Sequence, residues 1–293
     1  MKMRLFALSC MSLFHGRNQM IRFLKCLVFC LLFQNAAAQS NFYSYTDVGE
    51  GPALVLIHPF PADQDIWKAQ REGLKHRFRV ITVDLWGFGQ SGEVNGKPVS
   101  MDEYAEEIRM ILDHLQLSNA IVGGESMGGY VALAFLKKYP QRVNSLLLSG
   151  TQSIADNEDT KTQRELAAQE ILSNGTSSFI QAFISKALSS QASEPIKAEL
   201  LEILESQKAT ALASALRGMA LREDTSSILA SAEIPVLILS GEYDSVIPPR
   251  QSENLHEIAR NSALVIIENA GHLASLEQPQ QWNQAVLDYF AER

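Results

Sequence analysis

Five short stretches of this chain are apolar almost without interruption: "ALVLIH" (Ala53 to His58), "FRVITVD" (Phe78 to Asp84), "AIVGG" (Ala120 to Gly124), "VNSLLLSG" (Val143 to Gly150) and "IPVLILSG" (Ile234 to Gly241). A strand with one wet face alternates apolar and polar residues, whereas a continuous run requires cover on both faces. The text between the runs is amphipathic at helical spacing. In "MDEYAEEIRMILDHLQL", for example, Tyr104, Ile108, Ile111, Leu112 and Leu115 share one side. "QPQQWNQAVLDYF" reads as a closing helix opened by a proline. Strand and helix in alternation predict an α/β fold, with a mostly parallel central sheet and helices on both faces.

One block breaks the alternation. From Ser153 to Leu229 no strand-like run occurs, and the text is helical and polar, with breaks at "SNGTSS" and "SQASEP". A helical insertion between two core strands predicts a cap over the sheet edge. The expected organisation is a core of residues 39–152 and 230–293 with a helical cap at 153–229. A separate helical domain is the alternative, although both ends of the block return to the same sheet.

The beginning of the chain has a different character. From Met20, "MIRFLKCLVFCLLFQNAAAQS" sets two cations before an apolar run and ends in Ala36, Ala37 and Ala38. This predicts a signal peptide over residues 1–38, cut near Ala38, and hence an exported (periplasmic or secreted) protein with no stable membrane anchor after cleavage. The run is short for a bilayer span, so an uncleaved anchor is the lesser alternative. The start at Met1 or at Met20 stays open. Cleavage removes Cys10, Cys26 and Cys30, the only cysteines, which suits an oxidising compartment without requiring disulfides. It also removes Lys2, Arg4, Arg17, Arg22 and Lys25 and no acid, leaving 20 cations against 33 acids, a net charge of about −13 instead of −8. No basic patch offsets that repulsion, so a nucleic-acid partner is not expected.

The segment "NAIVGGESMGGYVALAFLKKYP" places Ser126 between a buried strand and a helix, inside the string Gly124, Glu125, Ser126, Met127, Gly128. Alone, a G-x-S-x-G string arises often by chance. On a strand-to-helix turn it has a mechanical meaning: small neighbours let backbone segments pass close, and the turn lifts a serine oxygen clear of the sheet beside a helix N-terminus. A serine hydroxyl is a poor nucleophile at neutral pH and needs a base, with a third group to orient that base. His272, in a Gly-His loop after the strand-like "ALVIIE", is the candidate base, since His58 ends a buried strand and His76, His114 and His256 sit in helical or polar text. Asp244, just beyond "VLILSG", is the candidate acid, with Glu242 its neighbouring competitor.

Ser126 in its turn, together with "HPFPADQDIWKAQ", "VDLWGFGQS", "GEYDSVIPP" and "AGHLASLEQP" in that order, resembles the α/β-hydrolase fold family from about Tyr43 to the C-terminus. The resemblance implies Ser126 as nucleophile, His272 as base and Asp244 as the orienting acid, leaving Glu242 as a solvated loop residue. It implies an oxyanion hole of two backbone N–H groups, Phe60 and Met127. Here the chain departs from the usual His-Gly: it has His58, Pro59, Phe60, and proline has no N–H to donate. Dehalogenases and epoxide hydrolases of this fold resemble one another in carrying an aspartate at the elbow, so Ser126 points away from both.

Two other features invite a different reading. "GFGQSG" (Gly87 to Gly92) satisfies G-x-G-x-x-G after a strand, but "EVNGKPVS" follows where a dinucleotide site requires a helix. Asp84 ends its strand without ligand-spaced partners and is expected to tie down that loop. No cofactor and no metal are expected. The chain is thus expected to cleave a small carboxylic ester or lactone through an acyl-enzyme. The alternatives are a non-catalytic ligand-binding homologue, or a C–C bond hydrolase or cofactor-free haloperoxidase using the same three residues. The cap text "LRGMALREDTSSIL" also resembles that of enol-lactonases, haloperoxidases and small esterases. Trp86, Phe60 and Met127 stand near the mouth by motif position and predict a mainly apolar pocket.

Overall fold

The computed structural model describes residues 43–290; the expected leader lies outside the described residues. Seven strands form one sheet: β1 (Ser44–Val48), β2 (Ala53–Ile57), β3 (Arg79–Asp84), β4 (Ala120–Glu125), β5 (Val143–Ser149), β6 (Val236–Gly241) and β7 (Ser262–Ile267). Their order across the sheet is β1-β3-β2-β4-β5-β6-β7. Only β1 is antiparallel, pairing Ser44 with Asp84 and Val48 with Val80 on β3. The remaining pairs are parallel, and the five apolar runs are β2 to β6.

The helices of the described residues are α1 (Lys68–Leu74), α2 (Met101–His114), α3 (Met127–Lys138), α4 (Glu158–Asn174), α5 (Ser177–Ala187), α6 (Glu194–Glu205), α7 (Ala209–Ala220), α8 (Ser226–Ser231), α9 (Pro249–Ile258), α10 (Ala274–Glu277) and α11 (Pro279–Phe290). Neighbouring strand residues divide between two cores, as a doubly covered sheet demands. Leu54 and Leu56 pack with Leu147, Leu237 and Leu239 against Trp67, Leu74 and Trp282, on the side of α1 and α11. Val55 and Ile57 pack with Val83, Val122 and Leu148 against Ile108 and Leu112 of α2 and Phe135 of α3. The start of α2 is fixed by a capping box: Ser100 accepts from the Glu103 N–H while the Glu103 carboxylate accepts from the Ser100 N–H.

Between β5 and β6 the chain runs through α4 to α8. Arg217 of α7 grips Glu165 of α4 with two N–H donors, at 2.8 and 2.7 Å. From the same block, the Gln207 amide donates to Asp63 at 2.7 Å and accepts from the Gly89 N–H at 3.1 Å, tying the block to the loops after β2 and β3.

Candidate active site

Ser126 sits where β4 turns into α3, with φ +54° and ψ −114°, a conformation that costs a non-glycine residue free energy and persists only when its surroundings impose it. They do so by close packing. A Cβ on Gly128 would stand 2.1 Å from Ile57 O, and one on Gly124 would stand 2.3 Å from the Gly128 carbonyl carbon, so both positions exclude any larger residue. The Ser126 N–H donates to Ser149 O at 2.8 Å and its carbonyl accepts from Thr151 Oγ1 at 2.8 Å. Its side chain is left facing the loop after β7.

That loop carries His272, fully buried, with Nε2 2.8 Å from Ser126 Oγ and Nδ1 2.9 Å from Asp244 Oδ2. The second Asp244 oxygen accepts from the backbone N–H groups of Val246 and Ile247, at 2.9 and 2.8 Å, which fixes the carboxylate plane. The structure therefore brings the three sequence-predicted side chains into one chain of contacts. Glu242 is exposed and caps the Asn269 N–H instead, the loop role expected of it.

Phe60 and Met127 flank the serine from the β2 loop and the first residue of α3. Neither N–H has a hydrogen-bond partner among the described residues, and the Met127 N–H belongs to the helix-start set that no intrahelical carbonyl can satisfy. The His-Pro departure is accommodated by His58. Its Nε2 accepts from the Leu85 N–H at 3.2 Å while Nδ1 lies 3.0 Å from Pro59 O, so both contacts are met by the neutral Nδ1–H tautomer. Burial pushes the His58 pKa down, in agreement with a neutral ring.

The serine opens into a cavity of about 570 Å³, walled by Phe60 and His272 on the core side and by Arg164, Phe179 and Phe183 of the helical block. Two expectations need correction. Trp86 does not line this cavity; its backbone N–H donates to the Glu107 carboxylate at 2.9 Å and its ring packs against the core on the α2 side. Met127, also expected near the mouth, is the second correction: its side chain lies wholly in the core and off the cavity wall. The wall is mainly apolar, as expected, but Asp156, Arg164 and Lys186 stand on it beside the aromatic rings.

Asp84 ties down loops, as expected: it accepts from the N–H groups of Gln64 and Gln90 at 2.9 and 3.0 Å and from Ser44 Oγ at 2.6 Å. The glycine at position 89 serves this turn, because a Cβ there would lie 2.4 Å from Asp84 Cγ. That requirement accounts for part of the "GFGQSG" pattern.

Sequence reasoning missed two carboxylates behind the triad. Glu125, buried beside the nucleophile, accepts from Ser275 Oγ at 2.7 Å and from Ser149 Oγ at 3.0 Å, and burial raises its pKa against the pull of those bonds. Glu277 accepts from the Gly271 N–H at 2.7 Å and the Ser189 N–H at 2.9 Å, while the His272 N–H donates to Ala187 O at 2.7 Å. The histidine loop is thus fastened at Gly271 by Glu277 and at His272 by the end of α5, with Glu125 holding Ser275 just beyond it. Position two of the G-x-S-x-G string was the available signal for Glu125; nothing comparable marked Glu277.

Residues 52–186 match the family model described as alpha/beta hydrolase fold, and residues 215–292 match one described as TAP-like protein. A thermophilic esterase from Thermogutta terrifontis, solved with malate bound, is 32% identical, with 85% of this chain and 93% of that chain covered and a TM-score of 0.83. The chain belongs to the α/β-hydrolase fold family. Other relatives of this hydrolase-fold chain include 3-oxoadipate enol-lactonase 2 from Acinetobacter baylyi, 28% identical over 85% of this chain and 93% of that protein. The dihydrolipoyllysine-residue acetyltransferase component of the acetoin cleaving system from Pseudomonas putida is 29% identical over 82% of this chain, which spans 63% of that protein's length.

Proposed function

We propose that this chain is a serine hydrolase of small carboxylic esters or lactones that works through an acyl-enzyme. The observation that carries the reading is the unbroken line from Ser126 Oγ to His272 Nε2 and from His272 Nδ1 to Asp244 Oδ2, at 2.8 and 2.9 Å. The names of the relatives, esterase and enol-lactonase, support the same reaction class.

In this reading Ser126 Oγ attacks the carbonyl carbon as its proton passes to His272 Nε2, and Asp244 holds Nδ1–H and stabilises the imidazolium. Negative charge gathers on the former carbonyl oxygen, which the N–H groups of Phe60 and Met127 receive; one such donor is worth about 10²–10³ in kcat. The tetrahedral adduct collapses, the C–O bond to the leaving group breaks, and Nε2–H protonates the departing alkoxide. Water then attacks the acyl-serine with His272 again as base, releasing the carboxylic acid and restoring the Ser126 hydroxyl. In a lactone the leaving alkoxide remains attached to the acyl group. Helices α4 to α8 act in this reading as the cap that closes the acyl pocket.

The test is turnover of a panel of p-nitrophenyl esters and lactones by wild type and Ser126→Ala. Hydrolysis by wild type with a loss of about 10³-fold or more in the variant supports the reading. Near-equal turnover by the two proteins rejects it.

A further inference from the structure

The charged groups on the wall of the Ser126 cavity are unevenly matched. Asp156 is the only acid on that wall among the described residues, and it is already shared: Arg164 Nε lies 2.6 Å from one of its oxygens and an Arg222 terminal nitrogen 2.7 Å from the other. Although burial works to raise the Asp156 pKa, these two guanidiniums outweigh it and hold the carboxyl below its ordinary range. Two fixed cations thus face one anion. Arg222 is spent within this cluster, stacked at 4.2 Å over the Tyr130 ring.

Arg164 is not. Only its Nε meets the carboxylate; its terminal nitrogens meet no oxygen among the described residues, and one lies 3.5 Å from the Met219 sulfur. Those N–H groups form a planar fork on the cavity wall, the geometry suited to a carboxylate taken by two parallel bonds. Lys186, at the end of α5, stands on the same wall, and its ammonium has no ion-pair partner among the described residues. This happens in a chain of net charge −8, where a locally positive cavity runs against the overall field.

We propose that the ester or lactone cleaved at Ser126 carries a carboxylate at the end remote from the reacting carbonyl, held by Arg164 and Lys186. The inference rests on the serine hydrolase reading and narrows it to acyl groups derived from dicarboxylic acids. Phe60 and Phe179, packed edge to face at 5.7 Å, supply the apolar wall for the methylenes between the two ends. The anion's site then sets the chain length that places the carbonyl at Ser126.

The experiment compares kcat/KM for the monomethyl esters of succinate, glutarate, adipate and pimelate with that for the neutral methyl ester of matching length. In wild type at least one monoanionic ester should outrun its neutral counterpart by about tenfold or more, the low end of a charge-assisted hydrogen bond, and added salt should shrink the ratio. Lys186→Met and Arg164→Gln should each lower that ratio by about tenfold, and Lys186→Glu should lower it further. The proposal is overturned if no monoanionic ester outruns its counterpart, or if the ratio is unchanged in every variant. Labelling by a fluorophosphonate, carried out in parallel, separates this from failure of the parent reading. A labelled Ser126 without anion preference sinks the anion site alone, and an unlabelled, inactive protein sinks both.

Discussion

Replacing Gly128 by alanine sets two backbone effects against each other, and the structure says which wins. Alanine inside a helix gains about 1 kcal/mol over glycine. Against this, the new Cβ would stand 2.1 Å from Ile57 O and 3.0 Å from His58 O. A carbon–oxygen contact needs about 3.3 Å, so the start of α3 must retreat from β2 by about 1.2 Å. Neither side yields cheaply: Ile57 belongs to an inner strand, and the Ser126 N–H is fastened to Ser149 O. Overpacking of this kind costs about 1–3 kcal/mol, and with rigid backbone on both sides the upper figure applies. The net expectation is a loss of about 2 kcal/mol by urea unfolding. The effect on rate should exceed the effect on stability. Met127, whose N–H is proposed to bind the oxyanion, precedes Gly128, and a displacement near 1 Å costs about 10²-fold in kcat. Gly92→Ala is the control, since its Cβ meets only Trp86 Cδ1, at 3.7 Å, and should stay within about 0.5 kcal/mol of wild type. Wild-type stability together with undiminished kcat in Gly128→Ala would refute the close-packed elbow.

Other perturbations have equally definite signs. Asp156→Asn leaves two guanidiniums without their shared anion and should cost about 3 kcal/mol near neutral pH. Because the folded pKa of Asp156 lies below the ordinary value of about 3.9, its contribution is complete above that value and fades as pH falls through the folded pKa; the variant should show a flatter acid limb in stability against pH. Glu125 has the opposite sign. Its pKa is raised by burial, so wild type loses stability as pH climbs from about 4.3 towards the folded value, and Glu125→Gln should gain relative to wild type over that window. A pH-independent difference between the two proteins would show that Glu125 is not held protonated. In the triad, Ser126→Ala and His272→Ala should each remove about as much kcat as the double variant, with Asp244→Asn less damaging; additive losses would mean that the residues do not act as a unit.

Much of this molecule is legible in its sequence for a physical reason. A strand covered on both faces must be apolar at every position, so β2 to β6 stand out, and the serine turn needs glycines because backbone passes within clash distance of Gly124 and Gly128. Edge strand β1, "SYTDV", carries no such mark; it is half-buried, and its Asp47 is neutralised by Arg79 across the β1–β3 ladder at 2.7 Å. Trp86 falls off the cavity wall because motif position gives the neighbourhood of a side chain but not its direction, which here is towards the core on the α2 side, where its ring packs. The charged wall was hidden for a related reason. Arg164 lies in the polar helix α4, where nothing in "KTQRELAAQ" distinguishes a residue facing solvent from one facing the serine. Only the path of the chain from β5 back to β6 decides that.

Ser126 is proposed here as a nucleophile activated by His272, and covalent capture tests that role without knowledge of the substrate. Intact-mass spectrometry after incubation with a fluorophosphonate should show one adduct on wild type, mapped to the peptide containing Ser126, none on Ser126→Ala, and much slower labelling of His272→Ala. Wild type that stays unmodified, or Ser126→Ala that labels as fast as wild type, would show that Ser126 is not the nucleophile.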